Sequence, residues 1–442
     1  MASRLPGPRG PLPFLRTAYG MQFRPVDTVV DLHRRYGPIV EFGMRPFRYT
    51  IVYGDEANKL ILADRADAFT WAEAFAMLAP VDGETALVVS DGDVHKRRRR
   101  LVQPAFHTKR INGYVDLMVE EVDRTLDGWR LGRELQAYDE LRKSVRRIVV
   151  RALFGGELRE RADEIGDVLE PALQFVDQSL LNQQFKLPIP GTPWHKCTTA
   201  RAKTDAIVDA ELTRRRATTD PGEGDDILAM LLSTVDEDGS PGLTDAEIRD
   251  QVVSLVAAGY HTTSGALGWA VRALLHEPRV WDKARAEVAE VIGDDAPTAD
   301  ALQSMRYLDG VVHESLRLWP PGFISGRKCH DDVDFAGHTI AAGSMVMYSP
   351  WVTHRMAELW PEPEVFKPER WERDPLPYSF VPFGGGYRRC IGFAFATLEL
   401  KATLARLLQR VELDLLSSDE GMTGTAGLRP KSGVPVRVLA QN

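Results

Sequence analysis

Phe383-Gly384-Gly385-Gly386-Tyr387-Arg388-Arg389-Cys390-Ile391-Gly392 is the stretch on which the reading of this chain turns. It is a glycine-rich turn that ends in a cysteine. An unbroken helical pattern follows from about Phe393 to Leu408, with alanines, leucines and no proline. A cysteine at the mouth of a helix meets unpaired backbone N–H groups and the positive end of the helix dipole. Both lower a thiol's pKa. Three glycines let the backbone pass close to something flat. Arg388 and Arg389 add positive charge, which suits a ligand carrying carboxylates. The arrangement presents one thiolate to a metal.

Upstream, Val312-His313-Glu314-Ser315-Leu316-Arg317 holds an E-x-x-R pair on a helical pattern that ends before Trp319-Pro320-Pro321. Glu314 and Arg317 share one face at this spacing, and if buried they must be paired. A second arginine, Arg370, follows in Phe366-Lys367-Pro368-Glu369-Arg370. Further upstream, Thr244-Asp245-Ala246-Glu247 is a capping box. It opens a proline-free run to Glu277 of about 33 residues, roughly 50 Å at ~1.5 Å per residue. The middle of this run, Leu255 to Gly265, is apolar nearly all round, which predicts a buried helix. Yet it carries Gly259, Thr262, Thr263 and Ser264. Threonine hydroxyls bond back to carbonyls one turn earlier and distort a helix. In the basic run Asp93–Arg100, His95 and Arg99 lie four residues apart on one face.

These stretches together resemble the cytochromes P-450. Phe383, Gly386, Arg388, Cys390 and Gly392 fill the family's haem-binding signature F-x-x-G-x-R-x-C-x-G. Ala258, Gly259, Thr262 and Thr263 are similar to its distal turn A/G-G-x-D/E-T-T/S, with His261 where the family has an acid. Glu314, Arg317 and Arg370 match its structural triad. The resemblance runs over nearly the whole chain. It implies one domain over residues 1–442, where length alone suggests about three. That domain is mainly α, with a small β-rich lobe from about the first 70 residues and from 325–350. Haem b would lie between the long distal helix and the proximal helix after the Cys390 loop. Cys390 would be the iron ligand. His95, Arg99, Arg327 and Arg388 would meet the propionates, and Phe383 and Gly392 would frame the loop. Thr262 would take the part of the alcohol that hydrogen-bonds dioxygen and helps deliver protons. His261 is either a proton relay or a structural partner between helices.

The implied activity is hydroxylation of a lipophilic small molecule, such as a fatty acid, terpenoid or steroid, with O2. No flavin or iron–sulfur segment is visible, so two electrons would come from separate proteins, a ferredoxin with its reductase. Arg97, Arg98, Arg389 and Lys401 form a candidate docking face for an acidic partner. A sterol 14-demethylase is the alternative suggested by His261, although Phe75 to Asp82 lacks the tyrosine pattern expected of that group. A peroxide-driven enzyme would tend to lose the threonine that Thr262 retains. A non-catalytic haem sensor would not need the whole oxygen-handling turn.

The rest of the chain supplies the expected scaffold. Val26–Arg35 reads as a helix ending at Tyr36-Gly37-Pro38, Ile39–Phe42 and Tyr49–Val52 as strands, and Glu56–Ala63 as a helix. Phe69–Val89 lacks periodicity; the resemblance makes it line the substrate pocket, and a plain surface loop is the alternative. Asn112–Phe154, Leu158–Phe185 and His195–Arg216 read as helical. The proline-broken, apolar segment Phe185–Trp194 is either the substrate entrance or a plain connector. Arg327, Phe323 and Ile324 lie just beyond Pro320-Pro321. Val333–Ile340 and Ser344–Ser349 read as paired strands around Ala341-Ala342-Gly343. Val411–Leu415 and Val434–Leu439 read as a terminal hairpin whose loop, Gly421–Gly427, reaches toward the pocket.

Composition agrees with a globular enzyme: 442 residues, 44% hydrophobic and 27% charged. A net charge of −8 argues against nucleic acid as a partner. No run approaches the ~20 apolar residues of a membrane span. Met1–Gly10 has no signal-peptide core and reads as an extended arm. The three cysteines, Cys197, Cys329 and Cys390, offer no disulfide framework, which predicts a reducing, cytoplasmic setting. No histidine or cysteine cluster has zinc spacing.

Overall fold

The computed structural model describes residues 4–44, 47–155, 158, 161–178, 183, 186–220, 222–419, 421–424 and 427–441. The chain enters through helices α1 (Pro11–Phe23) and α2 (Pro25–Tyr36). Each starts on a proline, whose missing N–H costs nothing in a first turn. The sequence reading assigned α1 no element, because Pro8, Pro11 and Pro13 obscure a helix that Pro11 in fact begins.

Strands β1 (Ile39–Met44) and β2 (Phe47–Val52) pair antiparallel with Ile39 opposite Val52. They join β3 (Phe69–Thr70), β4 (Ser325–Cys329) and β5 (Met345–Tyr348) in one sheet of order β1-β2-β5-β4-β3. The β2–β5 pairing is parallel and joins segments almost three hundred residues apart in the chain. This sheet draws its strands from residues 39–70 and 325–348. One pairing is corrected: Val333–Phe335 pairs with His338–Ile340 about Ala336-Gly337, and Met345–Tyr348 enters the main sheet instead. Ala336 and Gly337 both adopt positive φ, which closes that tight turn.

The helical lobe contains α3 (Gly92–Val102), α4 (Val115–Leu126), α5 (Ala137–Phe154), α6 (Ala162–Val176) and α7 (Pro193–Arg216). The expected helical stretch Asn112–Phe154 is broken by a strand, Glu134–Gln136, which pairs with Pro435–Gln441. Gly132, at φ +76°, makes the turn into it. In the described part of Leu158–Phe185 the long helical run is α6, and Phe185 lies outside the described residues. So do residues 425–426 of the Gly421–Gly427 loop.

The long helix α8 (Asp245–His276) has 32 residues and the capping box at Thr244 and Glu247. Most of its side chains are buried, and Trp269 stacks on Trp319 at 5.2 Å. Helices α9 (Arg306–Leu318) and α10 (Phe393–Arg410) complete the scaffold. The terminal hairpin forms as expected, Val411–Leu415 against Pro435–Gln441.

Candidate functional site

The cysteine loop is built against the β lobe. Gly384 and Gly386 have φ of +66° and +61°. A Cβ on Gly386 would collide with the carbonyl of Leu62, so only glycine fits there. Leu62 lies in a π-helical turn, Leu60–Asp64, that continues the predicted Glu56–Ala63 helix. The glycine at 386 therefore serves protein packing, whereas a Cβ on Gly392 would meet open space. The Cys390 N–H donates to the Phe383 carbonyl at 2.9 Å, which closes the loop. Cys390 has an accessible face, yet the surrounding protein is dense enough that burial pushes its thiol up. The Gly392 N–H, Arg99 and Arg389 pull the other way. The expected net lowering is thus corrected: desolvation outweighs the helix terminus.

Behind the loop, Glu314 and Arg317 are completely buried. Arg317 donates to both Glu314 oxygens at 2.9 and 2.8 Å, and Arg370 Nε to Oε1 at 3.0 Å. The sequence-predicted triad is assembled. Two further donors complete it: the Lys367 N–H at 2.9 Å and Trp371 Nε1 at 3.0 Å. His354 carries this cluster to the cysteine loop. Its Nε2 accepts from the Val381 N–H at 3.0 Å, so its Nδ1–H donates to the Arg317 carbonyl at 3.0 Å. Burial holds its pKa down near 3 and keeps it neutral. Sequence reading missed His354, because a lone histidine with no motif spacing carries no signal.

The four expected propionate partners come together. His95 is buried among cations, with burial first, then Arg388 and Arg99, pulling its pKa to about 3. Arg388 and Arg327 both cover Trp71, at 5.3 and 3.7 Å. With Gly385 they line one narrow gap. Arg388 donates to the Ser90 carbonyl at 2.7 Å and to Asp91. Asp91 in turn accepts the N–H groups of Trp71 and Ala72. Arg99 reaches the Arg389 carbonyl at 2.7 Å. Three of the four keep a buried polar atom with no hydrogen-bond partner among the described residues: His95 Nδ1, Arg327 Nη2 and Arg388 Nε. Buried donors are almost always satisfied. This knot of positive groups has the chemistry of a site for a ligand with carboxylates.

In the middle of α8, a stripe is only partly buried. Ala258 is exposed, and Leu255, Gly259 and Thr262 are half-buried. The spacing 255, 258, 259, 262 is a single helical face. Thr262 Oγ1 donates back to the Ala258 carbonyl at 2.5 Å. A Cβ on Gly259 would press on Val149 of α5 at 3.3 Å, so its smallness serves helix packing. His261 lies off this stripe and is buried. Burial, then Arg142, lower its pKa to about 4, against Glu170 and Asp177. Its Nε2 has no partner among the described residues.

The docking-face expectation is corrected in part. Arg97 is bonded to Asp236 at 2.6 Å and Arg98 to Glu247 at 2.9 Å. They tie α3 to the start of α8. Lys401 is paired with Asp309 at 3.1 Å. Arg389 differs from the other three in having no carboxylate partner among the described residues; its guanidinium lies over the Phe393 ring at 3.7 Å, and with Phe383 and Lys401 it lines a groove of about 610 Å3 behind the loop. The Phe69–Val89 segment is pinned to α8: Asp250 accepts from Thr85, and Gln251 donates to the Thr85 carbonyl at 2.7 Å.

The family description of cytochrome P450 matches residues 5–432. The chain belongs to the cytochrome P450 family. Membership makes it a monooxygenase and implies a haem-thiolate cofactor. It is 42% identical over 423 residues to a Mycobacterium tuberculosis chain named cytochrome P450 139, covering 93% of this chain and 97% of that one. It is 31% identical over 417 residues to the cyclooctat-9-en-7-ol 5-monooxygenase of Streptomyces melanosporofaciens, covering 91% and 88%. In structure it is similar to cyanobacterial CYP120A1, solved with retinoic acid bound, at a TM-score of 0.89. That match covers both chains in full with 27% identity. No helix of the described residues is long and apolar enough to cross a membrane.

Proposed function

We propose that residues 1–442 act as one haem b monooxygenase domain that hydroxylates a lipophilic natural product, with a terpenoid as the preferred class. The observation that carries the cofactor reading is the set of buried polar atoms on His95, Arg327 and Arg388 that lack a partner among the described residues, with Arg388 in the same loop as Cys390. Cys390 would hold the iron, and His95, Arg99, Arg327 and Arg388 the propionates. Phe383 and Gly392 frame the loop. When bound, the haem supplies oxygen activation, with the thiolate favouring O–O cleavage. Arg99 and Arg389 favour the thiolate form of Cys390.

The accessible stripe of α8 faces the reacting molecules in this reading. Ala258 and Leu255 present apolar surface. Thr262 exchanges its bond to the Ala258 carbonyl for a bond to oxygen and hands on a proton. His261 is buried off the accessible stripe, and burial holds its pKa near 4, so it carries a single ring proton at physiological pH. Its part is therefore structural, between α8 and the Arg142–Glu170 pair of α5 and α6. Electrons arrive from a ferredoxin with its reductase over the groove beside Arg389.

Similarity to the cyclooctat-9-en-7-ol enzyme and to a retinoic acid-binding chain supports the terpenoid class. The test is a spectral titration of the purified haem protein with cyclic diterpenes, retinoids, fatty acids and steroids. A saturable Soret shift with the isoprenoid compounds first is expected. A response confined to fatty acids or polar compounds overturns the substrate class. Thr262→Ala should raise peroxide release per electron consumed; unchanged coupling overturns the role of Thr262.

A further inference from the structure

The first helix turns its apolar side to water. Along α1, Leu12, Leu15, Tyr19 and Phe23 are 78%, 61%, 62% and 63% exposed. Steps of three, four and four residues place all four on one stripe. The Tyr19 and Phe23 rings sit 4.6 Å apart within it. On the other side Thr17 and Gly20 are buried, and a Cβ on Gly20 would collide with Thr28 of α2. The helix thus packs inward through Thr17, Gly20 and Met21 and points four of its large apolar residues outward. An ordinary surface helix does the reverse. The stripe exposes on the order of several hundred Å2, the range in which an apolar patch marks an interaction site.

Charge indicates what covers it. Between residues 4 and 24 the only charged residues are Arg4, Arg9, Arg16 and Arg24, in a chain whose net charge is −8. All four arginines are exposed. Residues 4–24 therefore combine an apolar stripe with four cations and no carboxylate. A second copy of the chain would bring the same four cations to meet their like. A surface of anionic lipid satisfies both features, because headgroups pair with the arginines while the stripe enters the acyl boundary.

We propose that α1 is an interfacial helix that lays the Leu12–Leu15–Tyr19–Phe23 stripe into a membrane surface rich in anionic lipid. At 13 residues it lies on the membrane and does not span it. This placement holds the protein beside the phase in which lipophilic molecules collect.

The test uses the full-length haem protein with two sets of vesicles, phosphatidylcholine alone and phosphatidylcholine with phosphatidylglycerol, read by co-sedimentation. Binding to the mixed vesicles is expected, weakened by added salt. Arg16→Gln and Arg24→Gln should each lower partition about fivefold. The pair Leu15→Asp and Tyr19→Asp should lower it at least tenfold, with thermal midpoint and haem spectrum unchanged. Failure of the parent protein to bind mixed vesicles at low salt overturns the proposal. So does equal binding by the Leu15→Asp, Tyr19→Asp variant. Self-association lost in that variant without lipid binding would assign the stripe to a second copy instead.

Discussion

His354 couples the buried triad to the cysteine loop, so replacing it should loosen the loop without touching Cys390. In His354→Leu, the Val381 N–H loses its acceptor at 3.0 Å and the Arg317 carbonyl loses its donor at 3.0 Å. Both groups stay buried, since His354 is fully enclosed. Arg317 is near the end of α9, so its carbonyl has no partner within the helix. An orphaned buried group costs about 1–3 kcal/mol. Two such groups, less about 1 kcal/mol returned by the apolar side chain, predict a loss near 3 kcal/mol. Urea unfolding followed by tryptophan fluorescence and the Soret band measures it. The Soret transition should fall further than the fluorescence transition, because the lesion lies at the loop. His354→Gln, which can keep one bond, should fall between. A loss under about 1 kcal/mol, or one equal in both probes, would refute the coupling.

Three further outcomes follow from the same contacts. Glu314→Gln leaves Arg317 and Arg370 without a counter-charge and should cost about 3–5 kcal/mol; recovery of parent-like stability would count against a buried ionic triad. Arg98→Glu sets two carboxylates together at the start of α8 and should lower stability by about 3 kcal/mol. Its reduction rate by a ferredoxin should be unchanged in the folded fraction, and a selective loss of rate would restore Arg98 to the docking face. His261 has a folded pKa near 4, below its ordinary 6.5, so the unfolded chain takes up the proton first as pH falls. Stability is present above about pH 6.5 and lost toward pH 4; at pH 5 the loss from this one group is about 2 kcal/mol. His261→Gln should flatten the decline between pH 7 and 5 by that amount in urea midpoints, and an unaltered slope would show a charged His261.

Much of this site was legible because its groups sit in short motifs. The Glu314–Arg317 spacing, the Thr244–Glu247 cap and the Phe383–Gly392 loop each encode their geometry locally. What escaped depends on contacts between distant segments. His354 has no motif, and its partners come from Arg317 and Val381. The need for glycine at 386 comes from Leu62, more than three hundred residues earlier in the chain. A run such as Arg97–Arg100 reads as free positive charge until the structure brings Asp236 and Glu247 beside it. The Cys390 thiol was misjudged for the same reason. Helix position is written in the sequence, but desolvation comes from everything packed around it. Helix α1 was hidden by the prolines that begin it.

The account rests on Cys390 as the iron ligand. The most direct measurement is the carbon monoxide difference spectrum of the reduced haem protein, taken for the parent and for Cys390→Ala. The parent should give the strongly red-shifted Soret band of a thiolate-bound haem, and Cys390→Ala should lose it while Cys197→Ala and Cys329→Ala keep it. A parent protein without that band, or a band that survives in Cys390→Ala, would contradict the assignment.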